Sequence, residues 1–337
     1  MTTKENTMSN NPEQHYSFLI SIGTLILAQE LAKLEKQKSH RQKMERVVVK
    51  KRDLLCEAFP EEAAKFIVKG DGFIITENLE EALKLDWPVD RSVTFLIDLA
   101  FSNPFAPYEL SYSAKAFSSA LTEVGKLVGV SAEGVRRILQ TQKEASKVHS
   151  QIGWAKVAAV GVGGLVVLGL GGWLLAPVIG GAIGSAAGLY GAAATSHGLA
   201  ILGGGSLAIG GLGMAGGIWV VAGTGATVGL LSAGGATLLL ELGAARAKVE
   251  LIKLQVSYKE VILRNQTELK KAQEVIKLLA QSRDEIKQQL DDERELNDKN
   301  AARLKDIETM LEAMEQALKW MESQGPHQVN SARLGRN

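Results

Sequence analysis

The chain has 337 residues, enough for two or three domains, and its 38 basic and 37 acidic side chains leave a formal net charge of +1. A balance this close to neutral gives no global electrostatic case for nucleic acid or for an acidic substrate. Cys56 is the single cysteine, so an internal disulfide is excluded and no oxidising compartment is required.

Residues 1–14 are polar and read as a disordered tail. A helical pattern runs from His15 to about His40, opening on the apolar run FLISIGTLIL at 18–27. That run has the length of a signal-peptide core, but the segment before it is not positive and Glu30 stands where a small-residue cleavage site would be needed. It is also too short to span a bilayer, so it reads as the core face of a first helix. The stretch KFIVKGDGFIITE at 65–77 sets two β-prone triplets around Lys69-Gly70-Asp71-Gly72 and predicts a small β-hairpin. A short helix at 78–88 stops before Pro88. Helical patterning resumes at Val89, passes a turn at 102–107, continues as an amphipathic helix, and restarts at an N-cap on Ser131 with Glu133 in the first turn. Cys56 reads as a small buried apolar residue of this N-terminal helical domain, 15–150.

FLIDLAFSNPF and LVGVSAEGVRRIL, within 95–139, resemble the helical segments of TerB-like domains, over about sixty residues. The resemblance implies a helical scaffold. The acidic turn that would serve a metal in that family is replaced here by Ser102-Asn103-Pro104, so no metal role is carried over.

The region 151–242 differs in kind. Residues 157–240 hold no Asp, Glu, Lys or Arg, and 25 of the chain's 35 glycines fall there. A transmembrane helix needs roughly 20 apolar residues, so the region can supply two or four spans, divided near Pro177 and again either near 203–205 or earlier at 196–198. Trp154 and Trp173 stand where interface anchors belong. In lipid the backbone must satisfy its own hydrogen bonds, so even glycine-rich segments are driven to helix, and bare positions let helices approach closely. Gly180, Gly184 and Gly188 form one such face; Gly213 with Gly217 and Gly225 with Gly229 repeat the spacing. Basic residues flank the region on both sides, Arg136, Arg137, Lys143, Lys147 and Lys156 before it and Arg246, Lys248, Lys253 and Lys259 after it. Both termini are therefore expected on the cytoplasmic side of an inner or plasma membrane. His197 is the only readily ionisable group in the apolar stretch, and reads either as a pH trigger or as a histidine of a connecting loop.

Residues 243–324 carry a heptad seam in a long charged pattern. One line of the seam runs through Ile262, Leu269, Ile276, Leu290, Leu304, Leu311 and Leu318; the second includes Leu279 and Ile286. Glu293, Asn297 and Asn300 would put polar groups in the seam, which favours a break into a hairpin near 291–300 over an uninterrupted coil. The tail 325–337 reads as disordered.

The order of helical domain, WAKV, Gly/Ala-rich block and AARAKVE resembles the transmembrane and coiled-coil domain family, whose members continue into an α/β-hydrolase; this chain continues into heptads instead. In outline it is also similar to α-helical pore-forming toxins, which place an apolar hairpin within a helical body.

Chemistry is not legible. GGSLA at 204–208 lacks the last glycine of a nucleophile elbow, and GLGMAG at 211–216 matches a dinucleotide fingerprint in letters without a βαβ unit. The histidines at 15, 40, 149, 197 and 327 have no metal-ligand spacing. The expected fold is mainly α: an N-terminal helical domain with one small hairpin, Gly/Ala-rich transmembrane helical hairpins, and a long C-terminal coiled-coil helix. The expected function is insertion into and permeabilisation of a lipid bilayer as a homo-oligomer, without enzymatic activity, cofactor, metal or nucleic acid, and with a soluble cytoplasmic form as a precursor. The alternative is a membrane-anchored scaffold that does not perforate and recruits a protein partner through its coiled coil.

Overall fold

A computed structural model describes residues 12–58, 63, 89–105, 108–149, 244–264, 269–296 and 301–325. Among them the chain is mainly helical, with no strand. The expected hairpin at 65–77, the short helix at 78–88 and the apolar region with Trp154, Trp173, His197 and its glycine faces lie outside the described residues. No helix among the described residues is long and apolar enough to cross a membrane.

The first two helices are α1 (Pro12–Leu34) and α2 (Lys38–Ala58). α1 starts within the expected disordered tail: Pro12 takes the first helical position, where its missing N–H costs nothing. The pattern expected to continue to His40 is cut at 35–37, where the Glu35 carboxylate accepts the Gln37 N–H at 2.8 Å and the Gln37 carbonyl opens α2. Residues 21–29 of α1 are all buried, so the apolar run is the centre of the N-terminal core rather than one face of a surface helix.

Around α1 pack α2, α3 (Val89–Ala100) and α4 (Ala114–Leu127), with α5 (Ala132–Val148) against α3 and α4. α4 is capped by Ser113, which accepts the Ala116 N–H at 3.0 Å, and α5 by Ser131, which accepts from Gly134 at 3.2 Å. Between them the chain turns by a Schellman motif: Val130 N–H returns to the Gly125 carbonyl at 2.8 Å, with Gly129 left-handed at φ 72°. The turn after α3 is tied to its own backbone, the Asn103 side chain accepting the Phe105 N–H at 3.1 Å. Cys56 is free and half-buried at the edge of this core.

The C-terminal arm is not one long helix. It consists of α6 (Ala244–Ser257), a π-helical turn at Tyr258–Ile262, α7 (Leu269–Leu296) and α8 (Ala301–Ser323). α7 and α8 pack on one another and α8 also packs on α6. The buried seam of α7 runs through Ala272, Val275, Leu279, Ser282, Ile286 and Leu290; that of α8 runs through Ile307, Met310, Met314, Ala317 and Met321, with Leu318 beside it. Ile262, Ile276, Leu304 and Leu311 are half-buried at the margin, and Leu269 lies where no side chain is described. The line through Leu279 and Ile286 is therefore internal, while the other keeps Leu290 and Leu318 inside and leaves Ile276, Leu304 and Leu311 at the margin; α8 faces two neighbours and needs a broader apolar face than a two-stranded coil.

Gly23 lets α3 lie against α1: a Cβ there would stand 2.4 Å from the Phe95 ring and 3.0 Å from Leu99, both fully buried. Gly23→Ala is expected to destabilise the fold by about 1–3 kcal/mol through overpacking. Urea titration of wild type and variant measures this, and an unchanged midpoint would rule out the close approach.

Candidate functional site

The apolar region enters from α5 and returns into α6, and these two helices are clasped to each other. The run AKVELIKLQV at 247–256 has charges spaced along it, yet nearly all of it is buried. Ile252 and Val256 pack into the N-terminal core, while Ala247, Leu251 and Leu254 pack into the C-terminal one. α6 is the element that both cores share, and it touches α3, α5 and α8.

Such a helix must neutralise any charge it carries. Lys253, counted in sequence as part of the basic flank, instead makes a buried ion pair with Asp98 of α3. Burial alone would push Lys253 below its ordinary value; Asp98 and Glu250 together outweigh that and hold it above. Glu250, one turn earlier on α6, is buried, and among the described residues its Oε2 has no hydrogen-bond partner. Burial pushes its carboxyl up, against the pull of Lys253 and with the repulsion of Asp98. Among the described residues Lys253 thus stands between Asp98 and Glu250, and the Glu250 carboxyl is displaced towards its neutral form.

Three hydrogen bonds join α5 and its C-cap to the α6 region in antiparallel order. Thr141 donates to Glu260 at 2.6 Å, Lys259 donates to Glu144 at 2.8 Å, and His149 Nε2 bonds Gln255 Oε1 at 2.8 Å. Glu260 belongs to the π turn, is buried, and is also bound by Arg264 at 2.7 Å. Arg137 lies 3.7 Å from the same carboxylate. The Lys259 bond holds the Glu144 carboxyl below its usual range, and the Lys259 ammonium also stands 5.7 Å from the centre of the Trp320 ring. Gln142 donates to the Ala100 carbonyl at 3.0 Å, fixing α5 to the end of α3.

None of the glycine faces, tryptophans or His197 named from the sequence can be placed against this clasp, since they lie outside the described residues. Among the described residues no three His, Cys, Asp or Glu side chains gather as a metal site. Sequence reading missed Asp98, His149, Glu250 and Glu260. The available signal was an ionisable residue inside an apolar helical run, as in FLIDLA and VELIKLQV.

Asp98→Ala would leave Lys253 buried without its carboxylate and is expected to cost about 3–5 kcal/mol, whereas Asp98→Leu with Lys253→Met is expected to recover most of it. Denaturant unfolding of the single and double variants checks this; a double variant as unstable as the single would show that the pair is not the cause.

The clasp also titrates. Burial holds His149 below the ordinary imidazole value, aided by Lys248 and opposed by polar contact with Gln255 and Gln316. The unfolded chain therefore takes up the proton first, so this contribution is complete above the ordinary histidine value and is lost as pH falls towards the lowered one. Glu250 acts with the opposite sign: its contribution is present at acid pH and is lost as pH rises through its raised value. Between pH 7.5 and 5.5, His149→Gln is expected to lose less thermal stability than wild type, while equal losses would exclude His149 as the group responsible. Comparisons of this chain with protein-family models, with characterised proteins and with solved structures return no match.

Proposed function

We propose that the protein is a membrane-inserting helical effector whose apolar region enters and permeabilises a lipid bilayer as a homo-oligomer. The observation that carries this reading is the juxtaposition of two features. Residues 157–240 contain no charged side chain, and the helices on either side of them are clasped by buried polar contacts. A constitutive anchor needs no such clasp; a segment released on demand needs its ends held until release. The glycine spacing at 180, 184 and 188 supplies a face for close helix association in lipid. The oligomer is assigned to this face and not to the heptads, because Leu279, Ile286, Leu290 and Leu318 are buried within the chain. Both termini are assigned to the cytoplasmic side, with a soluble form preceding insertion.

The rival reading is a membrane-anchored scaffold. It rests on the charged outer face of α7 and α8, where Asp284, Glu285, Lys287, Asp291, Asp292 and Lys305 are exposed. Vesicles loaded with a self-quenched dye separate the two. The effector should release dye, Asp98→Ala should release it several-fold faster, and Gly184→Leu should suppress release. Flotation with the vesicles but no leakage from any of the three proteins would support the scaffold and end the effector reading.

A further inference from the structure

A second site lies beside the clasp. A cleft of about 740 Å³ opens between the turn after α3, the start of α4 and the outer face of α5, and of its lining residues Val249 alone comes from α6. Its volume falls within the range of about 300–1,000 Å³ usual for small-molecule sites. The apolar lining is formed by Phe101, Leu110, Phe117, Leu139 and Val249. Four of these, all except Val249, are only half-buried, so hydrocarbon surface remains facing the opening. Tyr112 stiffens one wall, its ring stacked on Phe117 at 5.6 Å and tilted against Phe105 at 5.9 Å.

The polar groups of the lining are largely committed to the protein itself. Ser102 donates to the Leu99 carbonyl at 2.8 Å, Asn103 accepts from the Phe105 N–H, Gln142 donates to the Ala100 carbonyl, and Gln140 donates to Glu144 at 2.8 Å. A cleft whose polar side chains are turned to its own backbone and neighbours hydrates poorly and favours an apolar occupant. The charges are different. Arg136 and Lys143 line the cleft, both exposed, and among the described residues no Asp or Glu does. Among the described residues Arg136 pairs with the exposed Glu133, a pairing that solvent weakens and a ligand anion can displace.

We propose that this cleft binds a single-chain anionic amphiphile, a long-chain carboxylate, with the hydrocarbon on the Phe117–Leu139–Val249 surface and the carboxylate between Arg136 and Lys143. A guanidinium presents a planar pair of donors that suits a carboxylate, and the ammonium adds a second positive charge. The size of the cleft suits one chain and not the two of a bilayer phospholipid. Because Val249 sits on α6, the occupant touches both arms.

The test uses the full chain with laurate and with dodecanol, which share a hydrocarbon and differ in charge. Equilibrium dialysis should find saturable laurate binding. Arg136→Glu with Lys143→Glu should weaken laurate about tenfold and leave dodecanol within twofold of wild type, at an unchanged melting temperature. Leu139→Asp should weaken both. Any uptake by the apolar region is common to all these proteins, so the differences report the cleft. Unsaturable laurate uptake by wild type, equal laurate affinity in the charge-reversed protein, or equal weakening of laurate and dodecanol by charge reversal would each overturn the proposal.

Discussion

A buried lysine ammonium must stand against a carboxylate, and that requirement positions α6. Asp98 is fixed on α3, α3 is fixed against α1 through the bare backbone at Gly23, and Lys253 can be buried only where it meets Asp98. An ion pair of this kind is weak evidence for net stability, because desolvation offsets most of the attraction. Its consequence is register: sliding α6 by one turn would strand a cation on one side and an anion on the other. The apolar contacts of Ile252, Val256, Leu251 and Leu254 favour burial of the helix but would tolerate several positions.

Because α6 is buried from both sides, the two arms that flank the apolar region are parts of one packed body. The N-terminal core is built around α1, the C-terminal one around the α7–α8 pair, and α6 closes both. The π turn at Tyr258–Ile262 falls where the helix passes α5, and carries Glu260 to Thr141 while Tyr258 remains in the C-terminal core. A widened turn at such a point is a common way of placing a functional side chain without ending a helix.

The helical class, the core role of the apolar run in α1, the turn after α3 and the cap at Ser131 were all legible, because each rests on local chemistry: periodicity, turn residues, a hydroxyl before a helix. The division of the C-terminal arm was visible at Glu293, Asn297 and Asn300 as polar groups in a seam. What stayed hidden is tertiary. Lys253 looks like any other basic flank residue until Asp98, far away in sequence, is seen beside it. Met310 is buried where Leu311 is marginal, on a helix that packs against both α6 and α7, and no heptad count contains that second neighbour. The clasp itself depends on His149 meeting Gln255 across the whole apolar region, a pairing that no local pattern encodes.

That pairing makes the apolar region, in polymer terms, a closed loop. Its ends are pinned by the antiparallel contacts of α5 with α6, so the closure entropy has already been met by the folding of the body. That entropy grows only logarithmically with loop length. The length of the loop can therefore vary by tens of residues with little effect on the body that holds it. A segment joined to one body at both ends meets that body by an intramolecular step, governed by effective concentration and not by the amount of protein.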